Sequence, residues 1–332
     1  MNTTDGYPDV RLRRLRRTPA IRDMFAMPRP APEKFIWPVF LVEGSGRREP
    51  IASMPGQFRY SADELVKALA PVVAQGVRSV LLFGQLEHGE KDECGTAAAD
   101  PNGTVQRAVP VLRAAYPGLV ILTDVCLCAY TSHGHCGPRD GNGGVDNDAA
   151  CEMLARVAVS HARAGADGVA PSAMMDGQVA AIREALDEEG FKDTLLVSYS
   201  TKFASTLYGP FRDAENSAPG QGDRRGYQAD YRDAGSALRE SAFDEAEGAD
   251  VLMVKPALYY LDLIARLTAR TQVPFFAYNT SGEYAMVHAA AERGWCDLYA
   301  TARESLYAIF RAGASGVITY WAPFYDRIFG AE

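Results

Sequence analysis

Two lysines and a tight group of cysteines are the residues of this chain whose types and spacing suggest chemistry. Lys255 follows Val251-Leu252-Met253-Val254, a continuous apolar run of the kind carried by a parallel strand covered on both faces. Pro256 cannot donate to a sheet ladder, so the strand is expected to stop at the lysine and leave its amine at the C-terminal mouth. Partial desolvation there disfavours the ammonium, lowers its pKa and makes the amine a nucleophile toward a carbonyl carbon. The alternative is a lysine that snorkels from a strand end to a surface carboxylate. Lys202 follows a second apolar run, Leu195 to Tyr199. If the two strands are neighbours, both amines face one mouth, repel each other and titrate as a coupled pair. Cys126, Cys128 and Cys136 share one loop with His133 and His135. A Cys-x-Cys pair is too tight for an easy disulfide, so metal ligation, catalysis or simple packing are the readings open to these thiols.

The elements that must hold these groups alternate along the chain. Apolar runs recur at Ile36 to Val42, Val77 to Phe83, Leu119 to Val125, Gly168 to Pro171, Leu195 to Tyr199, Val251 to Val254, Val273 to Tyr278 and Val317 to Trp321. Helical patterns lie between them, the first at Ser61 to Gln75 with a capping box Ser61-x-x-Glu64. Gln75-Gly76-Val77, Ala164-Gly165-Ala166, Glu247-Gly248-Ala249 and Ala312-Gly313-Ala314 each close a helix with glycine just before a strand. Eight strand-helix units over about 300 residues predict a TIM (β/α)8 barrel rather than an open doubly wound sheet. No Gly-x-Gly-x-x-Gly follows the first strand, which argues against a dinucleotide fold. In a barrel the strand ends form the site, and read in order they offer Asp124, Ser172, Lys202, Lys255, Ser281 and Tyr320.

Composition narrows the class. The chain has 332 residues, 47% of them hydrophobic, and a net charge of −8, which argues against general nucleic-acid binding. No apolar run is long enough to span a bilayer and no signal-peptide pattern opens the chain, so a cytoplasmic protein with six mostly reduced cysteines is expected. Residues 1–34 differ from the rest: Arg11, Arg13, Arg14, Arg16, Arg17 and Arg22 precede Pro28, Pro30 and Pro32. Asp5, Asp9 and Asp23 spoil a transit-peptide composition, and the expected use of this basic arm is packing against another subunit of an acidic protein, the alternative being a disordered tail. Residues 35–332 form the catalytic barrel. Two stretches lack core periodicity, Cys126 to Asn147 and Phe203 to Asp230, and read as ligand loops or lids. The second carries Arg212, Arg224, Arg225 and Gln228, groups suited to a carboxylate.

These motifs resemble the porphobilinogen synthase (5-aminolevulinate dehydratase) family nearly end to end. The resemblance rests on Ser198 to Ser205 (SYSTKFAS), Tyr208 to Ala214 (YGPFRDA), Met253 to Ala257 (MVKPA), Tyr130 to Gly137 (YTSHGHCG), Ser281 to Tyr284 (SGEY) and Val145 to Asp148 (VDND). It implies a TIM barrel with an N-terminal arm, a homo-octamer, and condensation of two 5-aminolevulinate molecules to the pyrrole porphobilinogen for tetrapyrrole biosynthesis. Lys255 would form a Schiff base with the first substrate and Lys202 with the second. Arg212, Arg224 and Gln228 would hold the second substrate's carboxylate, Ser281 and Tyr320 the first's, and Asp124 and Ser172 would lie near the first substrate's amino group. Asp124 could instead only orient its neighbours, and Ser281 could be an ordinary helix N-cap.

The resemblance further implies a catalytic zinc on Cys126, Cys128 and Cys136, since three thiolates leave a fourth position open, and an allosteric magnesium on Glu240, a residue otherwise read as a solvated helix carboxylate. Ala129 and Asn279-Thr280 depart from the common family pattern without touching a catalytic role. Two competing functions make different predictions: another Schiff-base aldolase-type lyase needs one essential lysine, and a metal-buffering protein forms no imine.

Overall fold

The structure is a computed structural model that describes residues 10–86, 91–215, 217, 220 and 222–330. The chain divides into two compact units, the first ending at Pro30 and the second beginning at Ala31. Among the described residues the first unit contains a 3₁₀ turn, Leu12–Arg16, and a short helix, Pro19–Phe25, capped by the Thr18 hydroxyl; neither element has a buried residue.

In the second unit eight parallel strands close on themselves among the described residues: β1 Phe35–Leu41, β2 Ser79–Gly84, β3 Val120–Val125, β4 Gly168–Pro171, β5 Leu195–Lys202, β6 Val251–Lys255, β7 Phe275–Asn279 and β8 Gly316–Thr319. Each pairs with its successor, and β8 returns to β1 through Phe35↔Val317 and Ile36↔Ile318. The strands are buried along nearly their whole length because helices cover the outer face, which is why they read as apolar runs rather than as alternation. The helices α1 Ala62–Ala74, α2 Thr104–Ala115, α3 Asn147–Arg163 and α4 Gln178–Glu188 follow the first four strands in turn. Gly248 and Gly313, at φ +101 and +116, show why glycine closes the helices before β6 and β8: a side chain there would be strained.

Several boundaries differ from the sequence expectation for identifiable reasons. β5 runs three residues past Tyr199 to Lys202, with a register shift between Ser198 and Thr201, so Lys202 lies on the strand itself. β7 starts at Phe275, not Val273, because Pro274 has no N–H; its carbonyl accepts from Leu252 N instead. The Ser61 capping box does not form. The Ser61 hydroxyl donates to Asp63 (2.6 Å) and accepts from Arg47 N, while Glu64 pairs with Lys67. The stretch from Phe203 is not all loop: a 3₁₀ turn, Thr206–Tyr208, leads into α5 Gly209–Glu215, a short lid helix. The remaining helices are α6 Ala234–Ala246, α7 Leu261–Thr268, α8 Ser281–Glu292, α9 Leu298–Arg311 and α10 Tyr325–Phe329.

Candidate active site

β5 and β6 end in register, with Lys202 the Cα partner of Lys255, so the two amines emerge side by side from adjacent strands. Both side chains are buried. Lys255 Nζ stands among five aromatic rings, nearest Tyr278 (3.9 Å to the centroid) and the lid residue Phe211 (4.6 Å), then Tyr199, Tyr208 and Phe83. Burial, aided by repulsion from Lys202, pulls its pKa down to about 7, which leaves a large neutral fraction near physiological pH. Lys202 Nζ donates to the Ser172 carbonyl at 2.5 Å. Asp124, at the end of β3, is half-buried; desolvation pushes its pKa up to about 6 against the opposing pull of both lysines. Its Oδ2 accepts from the Ser172 hydroxyl at 3.2 Å, whereas Oδ1 and the nearby Tyr199 hydroxyl have no hydrogen-bond partner among the described residues. Strand ends thus bring Lys202, Lys255, Asp124 and Ser172 together as expected.

The lid completes the enclosure. Arg224 is buried; its Nη2 donates to the carbonyls of Gly134 (2.9 Å) and Ser217 (2.6 Å) while Nε has no partner. Arg212 Nε and both amide atoms of buried Gln228 are likewise unpartnered among the described residues. Desolvation, with Arg224 close by, lowers the pKa of Arg212. Donors buried without partners are costly unless an acceptor joins them, and a carboxylate supplies acceptors of that geometry. Arg225 stays outside this set, exposed and paired with Asp223. Ser281 is not an N-cap: Thr280 caps α8 and forms a capping box with Glu283, while the Ser281 hydroxyl accepts from Phe211 N at 3.0 Å. The Tyr320 hydroxyl meets that of Tyr278 at 3.2 Å. Neither lysine lines a cavity of about 920 Å³ whose wall includes His135, Tyr227, Gln228 and Glu240.

Cys126, Cys128 and Cys136 lie with their sulfurs all within 4.8 Å of one another, all three buried. Cys126 and Cys128 are 3.4 Å apart. A tetrahedral zinc with Zn–S bonds of about 2.3 Å needs sulfurs about 3.8 Å apart, so the three fit such an ion after small adjustment. Hydrogen bonds from Cys126 and Cys128, with Arg224 and Lys202 nearby, hold the Cys136 thiol well below its usual range. The rival histidines point elsewhere: His133 Nε2 meets the Glu93 carbonyl and His135 Nδ1 the Tyr227 hydroxyl.

Glu240, on α6, lines the cavity of about 920 Å³ and also a second one of about 460 Å³ with Asp176, Asp244 and Glu247; burial, then repulsion from Asp176 and Glu247, raises its pKa. Among the described residues only the cysteines form a cluster of three candidate ligands within metal-binding distance. Two groups escaped sequence reasoning. Glu215, at the C-terminus of α5, is buried beside Cys128, with Oε2 3.8 Å from Sγ; nothing in its local sequence distinguishes it from an exposed helix-end carboxylate. Arg59 donates from Nε to the Ala214 carbonyl and from Nη2 to the Asp213 carbonyl, both at 2.7 Å, clasping the last carbonyls of the lid helix; Ser53 adds a 2.7 Å bond to Asp213 Oδ2.

A closed (β/α)8 barrel with two buried amines at neighbouring strand ends, under a lid carrying arginines, defines a class: an imine-forming enzyme acting on an oxo acid. Comparison with known proteins fixes the family within it. The family model described as Delta-aminolevulinic acid dehydratase matches residues 9–328. Proteins of that name from Methanothermobacter thermautotrophicus and Streptomyces coelicolor are 51% and 48% identical over 97% of this chain and 98% of their own length. The crystal structure of the Toxoplasma gondii enzyme in complex with its reaction product porphobilinogen superposes with a TM-score of 0.93 at 41% identity, covering 96% of this chain and 91% of that one. The chain belongs to the delta-aminolevulinic acid dehydratase family, lyases that condense two molecules of 5-aminolevulinate to porphobilinogen.

Proposed function

We propose that Lys255 and Lys202 carry the condensation as paired imine formers, one for each 5-aminolevulinate. The observation that carries this is the register of the two buried lysines at adjacent strand ends. The neutral Lys255 amine attacks the keto carbon of the first substrate; the carbonyl oxygen leaves as water and a C=N bond replaces it. Ser281 and Tyr320 hold that substrate's carboxylate beside the N-terminus of α8, and Asp124 with Ser172 faces its amino end. Lys202 forms the second imine, while Arg212, Arg224 and Gln228, with their unpartnered donors, take the second carboxylate. Joining the two molecules with a net loss of two waters gives the pyrrole, and the aromatic wall around Lys255 keeps bulk water from the imine. The alternative aldolase-type lyase, with one essential lysine, has no use for the second amine.

The three cysteines would hold zinc, whose chemistry in this place is that of a Lewis acid toward an amine or a water. Glu240 would hold magnesium, an ion that keeps several waters and so accepts a single protein carboxylate; the mutual repulsion of Glu240, Asp176 and Glu247 favours a divalent cation there. A homo-octamer is the assembly we assign, with the arm of residues 1–34 as a contact; exposed Leu12, Leu15, Met24 and Phe25 on a basic segment suit burial against a second copy. No helix among the described residues is long and apolar enough to cross a membrane, and six free cysteines suit the reducing cytoplasm.

The test is borohydride reduction in the presence of 5-aminolevulinate followed by peptide mapping. Label is expected on Lys255, and Lys202→Met should keep that label while losing product. Pyrrole formation by Lys255→Met at the native rate would overturn the assignment.

A further inference from the structure

We infer that Glu215 is a specificity-determining residue: delivered by the lid, its carboxyl receives the amino group of the second substrate beside the cysteine site. The inference rests on the two-lysine reading above and deepens it. With the second carboxylate on Arg212, Arg224 and Gln228 and the keto carbon on Lys202, the amino end of that molecule falls toward the cysteines, where the carboxyl of Glu215 lies.

The placement is built. Glu215 is 4% exposed, so its carboxyl is taken from water and must be used inside the chamber or carried at a loss. Oε2 accepts from the Ser217 hydroxyl at 2.8 Å and lies 3.8 Å from Cys128 Sγ. Among the described residues Glu215 forms no salt bridge within 4 Å that could explain its burial as a structural ion pair. Its backbone is fixed from the barrel side, since Arg59 clasps the carbonyls of Asp213 and Ala214 and Gln85 also donates to Ala214. The closed lid therefore sets the carboxyl at one place in the site.

Direct ligation of a metal fits less well. Glu215 is not among the side chains that gather within metal-binding distance of one another, whereas the three thiols are. An acceptor next to that centre suits an N–H donor. It also pairs the chamber's two carboxyls with its two substrates, Asp124 with the amino end of the first and Glu215 with that of the second.

Levulinate, the same 4-oxo acid without the amine, separates the possibilities. In Glu215→Ala the KM for 5-aminolevulinate should rise about tenfold or more, the scale of a lost hydrogen bond to a charged group, while inhibition by levulinate stays within about twofold of wild type. Glu215→Gln, isosteric and still an acceptor, should recover part of the difference, which guards against a folding defect in the alanine variant. Zinc affinity, measured by competition with a chromophoric chelator in the absence of substrate, should be unchanged in both. Equal weakening of both oxo acids would overturn the inference in favour of general lid loosening, a fall in zinc affinity would make Glu215 a ligand, and unchanged KM would remove any role. Borohydride labelling of Lys255 reports on the two-lysine reading separately, so a failure there is distinguishable from a failure of Glu215.

Discussion

The mouth of the barrel and the lid above it hold their functional groups by different means. At the mouth, Lys202, Lys255, Asp124 and Ser172 stand on or just beyond strand ends whose positions are fixed by ladder hydrogen bonds and a closed apolar core. In the lid, Arg212, Arg224 and Glu215 are held by a few side-chain bonds to backbone: Arg59 on Asp213 and Ala214, Arg224 on Gly134 and Ser217, Ser281 on Phe211; Gln228 is placed by the backbone bonds of its neighbour Ala229 to Lys202 and Ala204. Among the described residues the lid carries unpartnered donors on Arg212, Arg224 and Gln228. The division suits the chemistry, because a nucleophile gains from rigid placement and desolvation, whereas groups that hold a substrate's carboxylate and amine must open to admit it.

If that division holds, the greatest loss comes from the mouth. Lys255→Met is expected to lower porphobilinogen formation by about 10⁴-fold or more, with folding intact by circular dichroism, because it removes the proposed covalent nucleophile. Removing the thiols to which we assign zinc comes next. Chelation of the wild type should abolish turnover and added zinc restore it. A metal-free Cys126→Ala, Cys128→Ala double variant with full turnover would reduce the cysteine site to a structural feature.

A third prediction crosses the boundary between the regions. On the two-lysine reading Lys255 attacks as the neutral amine, so kcat/KM should rise with pH through about 7, the value to which burial lowers its pKa. Phe211 belongs to the lid yet lies 4.6 Å from the amine. Phe211→Ala admits water, relieves desolvation and should move the acidic limb to higher pH. The lost cation–π contact, about 1 kcal/mol, acts the other way, but burial is the larger influence. A limb that moves to lower pH, or not at all, would mean that the lid does not tune the lysine.

Arg59→Ala should act more mildly and on the lid alone. KM is expected to rise by about three- to tenfold, the loss of one charge-assisted clasp, with little change in borohydride labelling of Lys255 and faster proteolysis within residues 203–230. An unchanged KM would show that the clasp does not hold the lid.

What could be read from the sequence follows the same division. The barrel and its two lysines were legible because a buried parallel strand must be apolar until it ends, and Lys255 with Pro256 marks an end. Lys202 was legible only by position, since β5 runs on through Ser200 and Thr201, polar residues that hide its last turn of ladder. The cysteines were legible by spacing. Glu215 and Arg59 were not, because a helix-end glutamate and a loop arginine acquire their meaning only when the lid folds back across the mouth, a contact between residues more than 150 apart in the case of Arg59 and Ala214. The Ser61 capping box was misread because Asp63 competes for the same hydroxyl.

The smallest effect is expected from a polar group that lies in the wall and takes no part in either region. His161 on α3 is 1% exposed, and neither ring nitrogen has a hydrogen-bond partner among the described residues, the same shortage seen at Gln228. The two should behave in opposite ways. On the proposed reading Gln228 serves a ligand, so its loss should damage binding; His161, on a helix of the barrel's outer layer, has no assigned role, so its loss should leave KM and kcat alone. Burial lowers its pKa from 6.5 to about 3, which keeps it neutral in the fold. Between those values the unfolded chain binds the extra proton, so stability falls as the pH drops from about 6.5 toward 3. Replacing it with Leu or Met removes both this proton linkage and the cost of burying an unpaired imidazole, offset in part by imperfect packing. His161→Leu is therefore expected to be neutral or more stable by up to about 1 kcal/mol at pH 7, and relatively more stable still at pH 5, as read from urea midpoints at both values. A loss of more than about 1 kcal/mol at pH 7, or the same difference at both pH values, would show that the imidazole is satisfied after all and that the wall, like the lid, uses its polar groups.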